Sequence, residues 1–293
     1  MNKVIFYAKS LIDFILFYCS KLIPKKQNRW VFGSWFGDKF ADNSKWLYIY
    51  TLKNISDVEV IWITKSEENY KIIRDLGGKV YLYNSFKALY YIITAKVAFM
   101  TQSFRDLASY NLIGGALKVQ LWHGIALKKI GFDSYGNNEG KNILKKVNSK
   151  LVNFLRTYDL YIAPSSIYKE VIKTAFRVNE NKILDVGQPR NDIFFHNELK
   201  CQFRNQINES IQKNYGININ EKKIITYMPT FRDNKNLSFS FMKLTEKQQQ
   251  EINKVLENNN SVIIEKAHFV DINIRQKNIN NALKNIIPLN DVD

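Results

Sequence analysis

"VQLWHGIALKKIGF", residues 119–132, carries an apolar strand-like run into Trp122, His123 and Gly124, then into two cations, Lys128 and Lys129. A histidine at a strand end beside glycine can be a base facing an anionic substrate. It can equally be a half-buried histidine in an ordinary turn. The rhythm of the flanking sequence sets the fold. Apolar runs recur as RWVFGS (29–34), VEVIWIT (58–64), KVYLY (79–83), KVAFMTQ (96–102), LKVQLWH (117–123), DLYIAPS (159–165) and KILDVG (182–187). Between most of them lie amphipathic stretches at 43–54, 66–76, 85–94, 141–157 and 166–176. This strand–helix alternation predicts an α/β protein with a parallel sheet and helices on both faces. Ligands in such sheets sit outside the carboxyl ends of strands. His123, Ser165 and Gly187 fall at such ends, which weights His123 towards function.

Residues 29–192 are expected to form a first Rossmann-like domain. Residues 193–221 are polar and helical and are expected to form a connector. The rhythm restarts over 222–293: KKIITYMPTFRD, a helix near 243–258, SVIIEKAHF, a helix near 271–284, and NIIPLNDVD. Three strand candidates are fewer than a doubly wound domain usually has, so the chain is expected to stop inside its second domain.

At 293 residues and 45% hydrophobic content the chain can form two folded domains. Its 43 Lys and Arg against 27 Asp and Glu give a net charge of +16, which suggests an anionic partner: nucleic acid, phosphorylated metabolites or an acidic membrane. Cys19 and Cys201 are far apart and only three histidines are present, so no metal site is expected. No GxxxxGK[ST] loop occurs, and no GxGxxG follows a strand. Nothing demands an oxidising compartment.

Residues 1–28 form a separate segment, an amphipathic helix followed by a basic linker. Lys9, Asp13 and Lys21 interrupt its apolar run, so it lacks the roughly 18 uncharged residues of a membrane span. Asn2, Lys3, Lys9, Ser10, Asp13, Ser20 and Lys21 fall within an arc of roughly 120° on a helical wheel. One reading packs this helix on the protein's own core. The favoured one lays it in a membrane interface, its basic residues towards anionic headgroups.

Four stretches place cationic donors or histidine at strand ends: LWHGIALKKIG, VGQPRND, YMPTFRD and EKAHF. Such clusters hold a phosphate or pyrophosphate without a metal cage. Each has a structural alternative: Arg190–Asp192 as a local ion pair, Arg232–Asp233 as a turn, Lys266 as a solvated strand end. Four in succession favour a site.

These stretches resemble the WHG-x-x-x-K-x-x-G, G-x-PR-x-D, Y-x-PTFR and K-x-H-P segments of the CDP-glycerol glycerophosphotransferase family, the teichoic-acid and capsule polymerases and primases. RWVFGSWFGDKFADNSKWLYIY (29–50) resembles that family's opening strand, Gly-rich loop and D/N-N-x-K helix. Phe269 departs from the pattern in replacing the proline after the second histidine, and the chain ends before the family's Asp-Tyr-Ser-Ser segment. The resemblance implies a GT-B architecture, two Rossmann-like domains with a cleft between them. It implies attack of an acceptor hydroxyl on the β-phosphorus of CDP-glycerol, with His123 as general base. Gly124 and Lys128 accompany that histidine in the motif. His268, Arg232 and Lys266 would steady the donor phosphates, Thr230 would add a contact, and Arg190 or Asp192 would brace the region between the domains. The implied partners are CDP-glycerol, a lipid-linked or polymeric polyol-phosphate or glycan acceptor, and the anionic cytoplasmic face of the cell membrane, held peripherally. No resident cofactor is implied, and a divalent metal requirement stays open. The sequence sets no oligomeric state. Ribitol phosphate or a sugar as the transferred group is the alternative on the same fold. A basic membrane- or nucleic-acid-binding protein without catalysis is the alternative of a different class, although no nucleic-acid motif is present.

Overall fold

The computed structural model describes residues 3–135, 157–229, 240–241, 244–266 and 285–288. Nearly all of the helix expected over 141–157 lies outside these residues, as do the helix near 271–284 and three candidate site residues, Thr230, Arg232 and His268. The chain divides into two compact units, Met1–Asp192 and Ile193–Asp293.

The first unit is built on seven parallel strands: β1 (Lys26–Phe32), β2 (Glu59–Thr64), β3 (Lys79–Leu82), β4 (Ala95–Met100), β5 (Leu117–Gln120), β6 (Leu160–Ala163) and β7 (Ile183–Asp185). Their order is β3-β2-β1-β4-β5-β6-β7, so the winding direction reverses between β1 and β4. A crevice at that reversal is where ligands bind in open α/β sheets. Strand side chains alternate between two apolar layers. Phe32, Trp62, Val97 and Phe99 face one with Tyr48 and Ile73. Val31, Ile61, Ile63, Ala98 and Met100 face the other with Ala88, Ile92 and Ile172. Both faces are covered, which is why these strands read as near-continuous apolar runs. The covering helices are α2 (Asp42–Asn54), α3 (Glu67–Asp75), α4 (Phe86–Ile93) and α6 (Ser166–Phe176), with a single-turn α5 (Phe132–Tyr135) before the last. Ser66, Ser85 and Ser165 each cap a helix by accepting from the amide three residues on.

Helix α1 (Lys3–Lys21) docks on this unit by its polar stripe, unlike a helix packed by its apolar face on the protein's own core. Ser10, Asp13, Phe17 and Ser20 are buried, while Ile5, Leu11, Ile12, Ile15, Tyr18 and Leu22 just beyond its end are exposed. Asp13 accepts from the Asn111 amide at 3.1 Å, and Ser20 Oγ from the Gly114 amide at 3.0 Å. Gly114 is required here, since a Cβ would stand 1.9 Å from the Phe17 carbonyl oxygen. Polar residues therefore face the protein, because buried amides on the loop before β5 need acceptors.

The second unit carries three parallel strands among its described residues, β8 (Lys223–Tyr227), β9 (Ser261–Glu265) and β10 (Ile286–Pro288), in the order β10-β9-β8. Helix α7 (Asn197–Tyr215) belongs to this unit, which corrects the expected connector. Its Ile207, Ile211 and Tyr215, spaced by four, pack with Ile219, Val262, Ile264 and Ile287. The Tyr215 hydroxyl donates to the Pro288 carbonyl at 2.7 Å. Helix α8 (Glu246–Asn258), closed by a Thr245–Gln248 capping box, packs Leu256 with Ile263 and Ile286.

Candidate active site

β5 ends at Gln120, and Leu121 continues its ladder by donating to the Met100 carbonyl. Trp122 then takes a left-handed conformation (φ 56°), its amide held by Gln120 Oε1 at 2.9 Å. That turn brings His123 back across the end of β4, where its Nδ1 lies 3.0 Å from the Thr101 carbonyl oxygen. A carbonyl only accepts, so Nδ1 carries the proton and Nε2 of the neutral ring keeps a lone pair. The imidazole stacks on Trp122 at 4.5 Å and lies tilted against Trp35 at 5.7 Å. It sits beside the β1/β4 reversal, as a ligand-facing group should.

The first turn of α2 supports this turn from below. Asn43, fully buried, donates to the Leu121 and Trp122 carbonyls at 2.9 and 3.1 Å, and its Oδ1 accepts from the Arg190 amide at 3.3 Å. Asp42 accepts from Trp35 Nε1 and from Arg190 Nη1, both at 2.7 Å. The same Arg190 nitrogen donates to the His123 carbonyl at 3.1 Å. Gly124 presents its carbonyl to Gln188 Nε2 and the Tyr168 hydroxyl. Of the seven non-glycine residues with positive φ among the described residues, Trp35, Phe36, Asp42 and Trp122 cluster here. Each such conformation costs on the order of 1–3 kcal/mol and persists only where surrounding bonds over-determine it.

Asp106 lies behind the site with no exposed surface. Its Oδ1 accepts from the Phe36 amide, and its Oδ2 from the Thr101 and Gln102 amides, all at 2.8 Å. Burial raises this carboxyl's pKa above the ordinary carboxylate value, outweighing the amides of Gln102, Phe36, Thr101 and Ser103, which pull it down. Every one of these partners is a donor, so the pocket is shaped for the carboxylate. Gly33 lets the Asp106 turn approach β1, for a Cβ there would fall 2.4 Å from the Asp106 carbonyl oxygen.

Of the residues singled out from sequence, His123, Gly124 and Arg190 come together. Gly124 is not the turn-former: its φ is outside the left-handed region, a Cβ would meet only Arg190 at 3.7 Å, and Trp122 makes the turn instead. Arg190 pairs with Asp42, not with Asp192, because the 3₁₀ turn Pro189–Phe195 leaves Asp192 exposed. Its bonds to Asp42, Asn43 and His123 lie within the first unit. Lys128 is exposed on the loop beyond His123. Lys266 follows β9 in the second unit, where its amide donates to the Tyr227 carbonyl at 3.0 Å. Among the described residues no group of three or more His, Cys, Asp or Glu could hold a metal ion. Sequence reasoning assigned no role to Asp42, Asn43, Thr101 or Asp106. The first two lie in the segment that carries the family resemblance, whereas Thr101 and Asp106 have no local signal.

A parallel sheet of this order, with a histidine held against the Thr101 carbonyl at its reversal point, defines a Rossmann-like α/β protein with an imidazole at its ligand-binding edge. The chain belongs to the CDP-glycerol:poly(glycerophosphate) glycerophosphotransferase family, which it matches over residues 15–292. It is 27% identical over 234 residues to a teichoic acid glycerol-phosphate transferase of Staphylococcus aureus, covering 77% of this chain and 56% of that one. It is 29% identical over 239 residues to a teichoic acid poly(glycerol phosphate) polymerase of Bacillus spizizenii, covering 80% and 58%. The chain thus spans little more than half the length of these relatives. Its fold is that of the wall teichoic acid polymerase TagF, with a TM-score of 0.69 at 21% identity, covering 97% of this chain and 66% of TagF. The Rossmann-like α/β fold with a parallel sheet expected from sequence is the one found.

Proposed function

We propose that the protein transfers glycerol phosphate from CDP-glycerol to a hydroxyl of a lipid-linked or polymeric polyol-phosphate or glycan acceptor in teichoic acid or capsule synthesis. The observation that carries this reading is the His123 Nδ1–Thr101 contact, which leaves Nε2 free to accept a proton. The acceptor oxygen attacks the β-phosphorus and its proton passes to His123 Nε2. The bond from that phosphorus to the bridging oxygen breaks, and CMP leaves with the electron pair. A positioned base of this kind contributes roughly 10²–10⁴ in rate. Arg232, His268, Lys266 and Thr230 are proposed as donor-phosphate contacts on the family resemblance. No resident cofactor is assigned, and assays with Mg²⁺ and with EDTA measure any metal dependence.

The same proposal places the protein peripherally on the cytoplasmic face of the membrane. No described helix is long and apolar enough to cross one. Helix α1 supports an interfacial position because its polar side is already committed to the protein and its apolar side faces outward. Incubation with CDP-glycerol and, separately, CDP-ribitol, with and without acceptor, tests the function. Acceptor-dependent CMP release from CDP-glycerol is expected. Release from CDP-ribitol alone would move the reading to ribitol transfer, and release from neither would refute it.

A further inference from the structure

The peptide unit between Thr101 and Gln102 stands between a buried carboxylate and the active-site imidazole. Its N–H donates to Asp106 Oδ2 at 2.8 Å. Its C=O accepts from His123 Nδ1 at 3.0 Å. One planar, conjugated group therefore has an anion on its donor end and the histidine on its acceptor end. We propose that Asp106 is a positioning residue for His123, fixing and polarising the Thr101–Gln102 peptide so that the imidazole keeps its proton on Nδ1 and its lone pair on Nε2. The inference rests on the reading of His123 as the base.

Three observations carry it. Asp106 is fully buried and accepts at both oxygens, so its carboxylate cannot swing away. An anion bonded to the N–H of an amide strengthens the acceptor character of its carbonyl, since bonds in a chain polarise one another. Asp42, the other carboxylate at the site, is committed to Trp35 and Arg190 and leaves the Nδ1 side to Thr101. The charges nearby are otherwise paired or distant in role. Arg105, adjacent to Asp106, reaches Asp13 at 3.5 Å, and Lys128 and Lys129 are exposed beyond the site. The arrangement resembles an aspartate–histidine pair with a peptide interposed. The aspartate contributes orientation and tautomer without touching the ring.

The rival role is a loop staple, since Asp106 also holds the Phe36 and Thr101 amides. Two measurements separate them. In ¹⁵N-histidine spectra of the whole chain, His123 should be the Nδ1-protonated tautomer, with a downfield, slowly exchanging Nδ1 proton. In Asp106→Asn that resonance should move upfield and exchange faster. An Nε2-protonated ring in the unmodified protein overturns the proposal even if the variant does not fold. In the transferase assay, Asp106→Asn should lower kcat by about 10–100-fold, the usual effect of losing a group that orients a working histidine, with the donor KM unchanged. In a His123→Ala background the same substitution should cost almost nothing more. An equal loss in both backgrounds would make Asp106 a staple only, and full kcat in the single variant would also overturn the proposal. Full activity of His123→Ala would instead remove the base reading, whereas the tautomer result stands independently of turnover.

Discussion

Arg190→Ala isolates what the turn after β7 does for the site. Its guanidinium is the charged partner of Asp42 and a donor to the His123 carbonyl, at 2.7 and 3.1 Å. The Asp42 side chain is 9% exposed and that of Arg190 34%. Removal leaves the carboxylate largely out of water, with Trp35 Nε1 as a remaining donor. Breaking a fully buried pair costs about 3–5 kcal/mol, and breaking an exposed one about 0.2–1. With one end buried and the other a third exposed, a loss of about 1–3 kcal/mol is expected. That corresponds to a fall in Tm of about 2–12 °C for a unit of this size. All five tryptophans, Trp30, Trp35, Trp46, Trp62 and Trp122, lie in the first unit, so tryptophan fluorescence during unfolding reports this unit alone. Arg190→Lys should recover part of the loss, because an ammonium keeps the charge without the planar fork. Asp192→Ala should leave the midpoint unchanged. If Arg190→Ala unfolds with the unmodified protein, or Asp192→Ala matches its loss, the Asp42 pairing is not what holds this turn.

Replacing outward-facing Ile12 and Ile15 by serine should leave the first unit's unfolding midpoint within about 0.5 kcal/mol, as surface changes do, yet release the chain from anionic vesicles in a flotation assay. Unchanged vesicle binding would remove α1 as the membrane contact. Glu59 makes a pH prediction: burial pushes its pKa up, but hydrogen bonds from Lys79 and Arg29 outweigh this, and the net shift is below the ordinary 4.5. Its stabilising contribution is therefore present above that value and is lost as pH falls through the lower folded-state pKa. Glu59→Gln should be less stable at neutral pH and show a flatter acid dependence in urea titrations. Parallel acid limbs for the two proteins would contradict the linkage. Gly114→Val, which puts a side chain where the Phe17 carbonyl lies, should detach α1 and raise its amide exchange.

The sheet was legible because its central strands are buried on both faces, which leaves apolar runs such as VEVIWIT that no surface loop tolerates. The helices α2, α3, α4 and α6 were legible as amphipathic stretches between those runs. The orientation of α1 was not. Periodicity shows that a helix has two faces but not which one meets the protein, and the partner of Asp13 is Asn111, 98 residues away. Helix α7 looked like a connector because its charge masked three apolar residues at four-residue spacing. At the site, His123 could be found from its place at a strand end. The turn that aims it is made by Trp122, a residue type with no preference for positive φ, beside a glycine that drew attention to itself. Asp106 acts through a backbone amide, so its role exists only in the folded chain.

Whether His123 Nε2 takes the acceptor proton is tested most directly by single-turnover and steady-state CMP release by His123→Ala, alongside binding of CDP-glycerol and the unfolding midpoint. An intact fold, unchanged donor affinity and a loss of roughly 10²–10⁴ in turnover are expected if it does. A folded His123→Ala protein that turns over at nearly the unmodified rate would contradict that role.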